Sequence, residues 1–461
     1  MKTFLGYHSE WNLGSPGGWD YQRITQIIGK AIWAEINRIK PIPVALDFDH
    51  PMLYPVHGFI DMLLKVYKRL DADGQGLIAL VAEEETLENV VENKNLVDHL
   101  NRIEGISSAL MAPHELELQN GKVSWKGRPV SLIFMDFNTD VLLRLHRAYN
   151  LSPLLRAVEE HRVINPRGTE PINVKSMFEV LTGEDGSRFH QEIVRRTPWT
   201  RQFYPRKTRG PSGEDIGDLM EWTRRNWDNL VLKPERGYSG IGVRVGRVHS
   251  SADEAINLAV REGSYIVQEK IPLDLWSEEI PVLDPELNRI VLDRVQTDFR
   301  CLMGCEGLQG FLGRYGGVPT NVGSGGGVQP LAVLGPGNSV REAVDRINQA
   351  ICEMNYNDLE QVFEMQNRMA VKESFTYLLG PIKIALRPRL ITQAQIDALK
   401  DYCTAMWADS LTLEKMWKDG QLDHLVQMEE EELSIARMHP WEGSAAIIAS
   451  DGLFNFMDTQ E

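Results

Sequence analysis

Asn229-Leu230-Val231-Leu232-Lys233-Pro234-Glu235-Arg236-Gly237-Tyr238-Ser239-Gly240-Ile241-Gly242-Val243-Arg244-Val245 decides how this chain is read. An apolar run carries a lysine near its end, a glycine-rich turn follows, and a second alternating run leads away. The pattern predicts strand, turn, strand, which is a β-hairpin. Glycines let such a turn approach an anion closely and aim backbone N–H groups at it. Lys233 would then hold one end of a polyphosphate while the turn folds over it. The segment is not a Walker A loop, because Gly-x4-Gly-Lys-Ser/Thr is absent. Nor is it a dinucleotide fingerprint, because no helix follows the glycines. A surface hairpin with a lysine by chance is the plain alternative.

Three downstream stretches extend the pattern. Tyr265-Ile266-Val267-Gln268-Glu269-Lys270-Ile271 predicts a strand running into a polar hinge, whose backbone can meet an adenine edge. An ordinary strand end explains it equally simply. In Thr297-Asp298-Phe299-Arg300, alternation puts Asp298 and Arg300 on one face. A carboxylate there suits Mg²⁺ and a guanidinium suits transferred phosphate oxygens, although a surface salt bridge needs the same pair. Arg314-Tyr315-Gly316-Gly317 follows, then Thr320-Asn321-Val322-Gly323-Ser324-Gly325-Gly326-Gly327, where Asn321 offers a neutral oxygen ligand.

In this order the segments resemble the ATP-grasp superfamily of carboxylate–amine or carboxylate–thiol ligases, over about residues 165 to 330. Residues 75 to 140 resemble the preceding domain of its glutathionylspermidine-synthase-like and circularly permuted groups. The resemblance implies ATP and Mg²⁺ as cofactors. It matches Lys175, in Asn173-Val174-Lys175-Ser176-Met177-Phe178, to an early nucleotide-contacting lysine, and Lys233 to the phosphate lysine. Arg236 to Gly242 match the lid, with Gly237, Tyr238, Ser239, Gly240 and Gly242 at the nucleotide. Gln268, Glu269, Lys270 and Ile271 match the adenine hinge. Asp298 and Asn321 take the metal positions, while Arg300, Arg314 and Lys233 would stabilise phosphate or acyl phosphate. One departure stands out: the family pattern is Glu-x-Asn, but residue 319 is Pro. Either another carboxylate joins Asp298, with Glu306 a weak substitute, or the metal geometry differs.

The implied reaction forms an acyl phosphate from ATP and a small carboxylate, then an amide or thioester on attack by an amine or thiol. A phosphotransferase with the same nucleotide grip, or a degenerate nucleotide-binding regulatory protein, are the competing readings. Arg167 and the basic run Arg195, Arg196, Arg201, Arg206 and Lys207 are candidates for a substrate anion. The clusters Tyr7-His8-Ser9-Glu10-Trp11 and Asp47-Phe48-Asp49-His50 are candidates for substrate contacts, or else polar strand ends.

The 461 residues suit two or three domains, and 43% apolar with 25% charged residues is a globular balance. We expect an α/β (α+β) ATP-grasp fold with a preceding α/β domain at 1–165, a nucleotide-binding core at 166–335 and a mainly helical region at 336–461. Val340, Val344, Ile347, Ile351 and Met354 mark a helix in that last part. A net charge of −16 argues against a nucleic-acid partner. The sequence has no apolar run of membrane-spanning length and no secretory signal, and its four cysteines form no metal or disulfide pattern, so a cytoplasmic protein is expected. Homo-oligomerisation stays open. Cys301 and Cys305 read as a buried pair, and Glu429 to Glu432 as a solvated helix face.

Overall fold

Three of the sheets frame a single cleft in the computed structural model, which describes residues 4–237, 240–248, 251–272, 277–284, 286–316, 320, 326–375 and 383–457. The chain is mixed α/β. Ser108–Met111, Leu77–Val81, Arg128–Met135 and Val163–Ile164 lie side by side and parallel. Leu77–Val81 is buried along its whole length, as a strand covered on both faces must be. The helix Pro55–Leu70 buries Phe59, Met62, Leu63, Val66 and Tyr67, the expected apolar stripe. Open parallel sheets offer ligand sites beyond their strands' carboxyl ends. Glu83, Asp136 and Asn138 stand there.

The second sheet is antiparallel, in the order Arg244–Val245, Leu230–Pro234, Tyr265–Glu269, Thr200–Gln202. The first two strands form the hairpin that the opening sequence predicts, pairing Val231 with Val245 and Leu232 with Arg244. Leu230, Leu232, Tyr265 and Val267 join a core with Trp199, Trp227, Ile256 and Ala259. Alternation therefore turns Lys233 and Gln268 to the opposite face.

The third sheet draws on distant parts of the chain: Leu5–Asn12, Ile448–Asn455, Arg289–Gly304, Gly307–Gly316 and Gly327–Val328, with Ser277–Asp284 paired to the long strand. Its register sets Arg300 opposite Asp451 and Asp298 opposite Arg314. Between residues 226 and 335 the sequence suggests short strands, yet Arg289–Gly304 runs for 16 residues. The strand stops before Cys305, which is exposed in the following turn while Cys301 is buried, so the two are not a buried pair. The expected C-terminal helix forms as Val340–Cys352, capped by Ser339, with Val340, Val344, Ile347 and Ile351 buried. The glutamate run is not wholly solvated either. Glu432, in the helix Glu430–Met438, is buried and holds Arg236 at 2.7 and 2.9 Å.

Between the first strand and the helix Trp19–Ile39 lies a short glycine-rich loop that edges the cleft. This helix has no side-chain cap of its own. Glu92 instead accepts from the N–H groups of Gly18 at 3.0 Å and Asp20 at 2.7 Å. Glu92→Ala would leave those donors buried and unpaired, and should lower stability by about 2–3 kcal/mol, read from chemical denaturation.

Candidate active site

The cleft has a volume of about 480 Å³ and three walls. Pro234, Gly237, Gly240, Ile241 and Val243 of the hairpin form one wall, the segment expected as a lid. Glu10, Asn12, Arg300, Arg314 and Asp451 come from the antiparallel sheet of the chain ends. Glu83, Asp136 and Asn138 close it from the parallel strand ends.

Two lysines lie on the lid side. Lys175 donates to the Gly237 carbonyl at 3.2 Å and pairs with Glu10 at 3.1 Å, so it reaches the cleft beneath the lid. Lys233 sits behind this wall, donating to Gln268 Oε1 at 2.7 Å and to the Ser9 carbonyl at 3.2 Å. Burial lowers its ammonium from 10.5 to about 8; Lys175 adds to the effect and Glu10 opposes it. A folded value below the unfolded one means that charging Lys233 costs stability below about 8, and the native state gains stability between about 8 and 10.5. Anion affinity should run the other way, falling as pH rises through about 8. Titrations with sulfate, whose charge is constant across that window, should show the inflection in the wild type and lose it in Lys233→Arg, whose guanidinium does not titrate.

The arginine wall is tightly coupled. Arg300 grips Asp451 with two hydrogen bonds of 2.5 and 2.6 Å and donates to the Gly17 carbonyl at 2.7 Å, tying the glycine loop to the sheet. Arg314 pairs with Asp298 at 2.8 Å and lies 3.6 Å from Asp451. Asn12 donates to Asp451 at 3.0 Å and Thr320 to Asp298 at 3.1 Å. Burial pushes the Asp298 carboxyl above its ordinary range despite Arg314. Burial acts the same way on Asp451, but Arg300 and Arg314 outweigh it and hold that carboxyl low. Asp298 Oδ1 is buried and accepts no hydrogen bond. Among the described residues no group of three His, Cys, Asp or Glu side chains is arranged for a metal. Mg²⁺ commonly takes only one or two carboxylates beside phosphate oxygens and water, and the unpaired Oδ1 of Asp298 is of the donor type such a set uses.

The remaining candidates divide clearly. Gly237 and Gly240 line the cleft and Gly242 stands in the same turn, where its φ of +78° favours glycine. Tyr238, Ser239, Pro319 and Asn321 lie outside the described residues. The hinge residues are engaged in the second sheet. Gln268 holds Lys233 and donates to Thr200 at 3.0 Å, and the N–H groups of Glu269 and Lys270 donate to Trp199 and Asn229 at 2.8 Å. Lys270 Nζ reaches the Gly246 carbonyl, and Ile271 is buried. Glu269, on the face away from Lys233, lines a separate cavity of about 1250 Å³ with Arg195, Arg201, Arg206 and Lys207. Arg167 is buried in an ion pair with Glu170 at 2.6 Å. Asp49 pairs with Lys30 on the exposed surface, and Glu306 with Lys65.

Sequence reasoning passed over Asp451, Asn12 and Asn138. Ser450-Asp451-Gly452 reads locally as a turn, and only the pairing of Ile448–Asn455 with a strand some 150 residues earlier brings Asp451 beside Arg300. Glu10 stood in a polar cluster already singled out.

No protein-family model and no curated protein matches the chain. Among solved structures it is similar to a glutathione synthetase-like effector from Globodera pallida, with a TM-score of 0.35 and 10% identity over 66% of this chain and 61% of that one. It thus spans less than two thirds of the effector. It is also similar to a macrocyclase from Microcystis aeruginosa MRC bound with its precursor peptide (TM-score 0.30, 10% identity, 63% and 84% covered). A third is D-alanine–D-alanine ligase from Bacillus anthracis (TM-score 0.28, 11% identity, 74% and 99% covered). Likeness at this level decides nothing about function. Among the described residues no helix is long and apolar enough to cross a membrane.

Proposed function

We propose that the chain is an ATP- and Mg²⁺-dependent ligase of ATP-grasp type, joining a small carboxylate to an amine or thiol through an acyl phosphate. The observation that carries this reading is the convergence on one cleft of Lys175, Arg300, Arg314, Asp451 and a glycine hairpin. Lys233 lies directly behind it, and Asp298 is bound to Arg314.

Lys175 and Lys233 offset polyphosphate charge from the lid side. Arg300 and Arg314, fixed by carboxylates before any ligand arrives, stabilise the charge that builds on the transferred phosphoryl group and on the acyl phosphate. Their positions cost no reorganisation during reaction, and a site shielded from water strengthens them. Lid closure over Gly237 and Gly240 keeps water from the acyl phosphate. Asp298, with Asp451 as the second acid that Pro319 does not supply, would hold Mg²⁺, which when bound neutralises charge on phosphate oxygens.

Mass spectrometry of products from ATP, Mg²⁺ and pooled small carboxylates, amines and thiols tests the proposal. It predicts a condensed product lighter by one water than its two parts, with one ADP released for each. A stable phosphorylated compound without condensation would replace the ligase by a phosphotransferase. No ADP across the pool, with Mg-ATP still bound, would remove the catalytic reading.

A further inference from the structure

Five arginines are buried among the described residues: Arg167, Arg196, Arg201, Arg387 and Arg389. Four of them meet a carboxylate. Glu170 holds Arg167 at 2.6 Å and Glu192 holds Arg196 at 2.6 Å, while Glu278 lies 2.6 Å from Arg387 and 3.4 Å from Arg389. Arg201 has no carboxylate at ion-pairing distance among the described residues, and its hydrogen bonds go to neutral oxygens. Nε donates to Thr208 Oγ1 at 3.0 Å, Nη1 to Thr182 Oγ1 at 3.0 Å and the Thr200 carbonyl at 2.7 Å, and Nη2 to the Thr182 carbonyl at 3.1 Å. The guanidinium also lies 5.1 Å from the centre of the Trp199 ring. Glu179 and Arg206, the charged groups that act on it, are bound to each other.

This exception borders the cavity of about 1250 Å³. Register pairs Arg201 with Val267, which puts it on the sheet face opposite Lys233 and the cleft. A buried charge is costly unless an opposite one meets it. The threonines satisfy the N–H groups of Arg201 but leave its charge unbalanced. Thr208 carries that charge to the cavity wall: its hydroxyl accepts from Arg201 Nε and donates to no described group, so a polarised O–H is left for a ligand. The neighbouring residues add reachable cations. Lys207 lines the cavity, is exposed, and its ammonium has no partner among the described residues. Arg206 lines it too, with its side chain 19% exposed beside Glu179. Consecutive Cα atoms are only about 3.8 Å apart, so these three donors stand together.

The cavity's acids do not cancel this. Asp215 is paired with Arg209 at 3.5 Å, and the Arg201 charge responds to Glu179 and Arg206, not to Glu184 or Glu269. Because threonines occupy the fork of Arg201, it cannot clamp a planar carboxylate side by side. A hydroxyl, an ammonium and a guanidinium arriving separately suit the several oxygens of a tetrahedral anion. We propose that this cavity binds a phosphate group, with Thr208 and Lys207 as direct donors, Arg206 beside them and Arg201 as the charge behind. Its volume leaves room for the rest of a small phosphorylated molecule. The site lies apart from the cleft and is independent of what the cleft binds.

Calorimetric titration of the full chain with inorganic phosphate, glycerol 3-phosphate and acetate, at constant ionic strength so that screening is equal, tests it. At least one of the two phosphates should bind saturably and at least about tenfold more tightly than acetate, as expected for charge-assisted bonds from several donors. The tighter of the two names the source, free ion or ester. Lys207→Met and Thr208→Val should each weaken that binding by about tenfold. Lys207 is exposed and holds nothing in the fold, so Lys207→Met carries the test even if Thr208→Val, which strands Arg201 Nε, fails to fold. Lys175→Met, on the cleft, should leave this binding in place. Absence of phosphate binding, or binding that survives Lys207→Met and is lost in Lys175→Met, would overturn the proposal.

Discussion

Arg300→Ala is expected to abolish measurable turnover, by at least about a hundred- to a thousandfold, the scale on which a single preorganised electrostatic group acts. It should also lower stability by about 3–5 kcal/mol, because it strands a buried carboxylate. The guanidinium makes the only bidentate grip on Asp451 among the described contacts and carries the bond to the Gly17 carbonyl. Its loss frees the glycine loop and leaves Asp451 to Arg314 and Asn12. Arg300→Lys separates the two effects. The ammonium restores the charge, and with it much of the stability, but cannot form two parallel bonds, so turnover should stay low. ADP release and denaturation midpoints measured together decide the matter. An alanine variant of ordinary activity would remove Arg300 from the chemistry.

The second large effect is predicted for Asp451→Asn. The amide keeps the shape but removes the charge that balances Arg300 and, at 3.6 Å, Arg314. Two guanidiniums would then share only Asp298, and a loss of about 3 kcal/mol is expected. The half-saturating Mg²⁺ concentration should rise by about ten- to a hundredfold, whether Asp451 touches the metal or only positions Asp298 through Arg314. Because the folded Asp451 carboxyl is held below its ordinary 3.8, its contribution is fully present above that value and is lost only as pH falls further. The variant should therefore flatten the acid limb of the stability profile. An unchanged Mg²⁺ titration would take Asp451 out of the metal site.

What the sequence discloses follows from how local each signal is. The lid hairpin was legible because alternation and glycine turns act over a dozen residues, and its strands pair as written. Asp298 and Arg300 share a face by the same alternation. Partnership across the fold was invisible. Asp451 looks like a turn residue until the last strand pairs beside Arg289–Gly304. Glu432 looks like one more solvated glutamate until Arg236 meets it from 196 positions away. Both charges were inexpensive to misread because only burial, a long-range property, separates a solvated carboxylate from a structural one. The hinge shows the converse limit. Gln268 to Ile271 carry the expected pattern, yet only the fold shows that Gln268 holds Lys233, Lys270 reaches the hairpin, and the N–H groups of Glu269 and Lys270 serve the sheet.

The central claim is that a polyphosphate lies in the cleft between the lysines and the arginine wall. Calorimetric titration of the full chain with Mg²⁺ and a non-hydrolysable ATP analogue tests it most directly, on the wild type and on a Lys175→Met, Lys233→Met double variant. The account predicts saturable binding at one site in the wild type, weakened at least about hundredfold once both cations are gone. No binding by the wild type, or equal binding by the double variant, would contradict it.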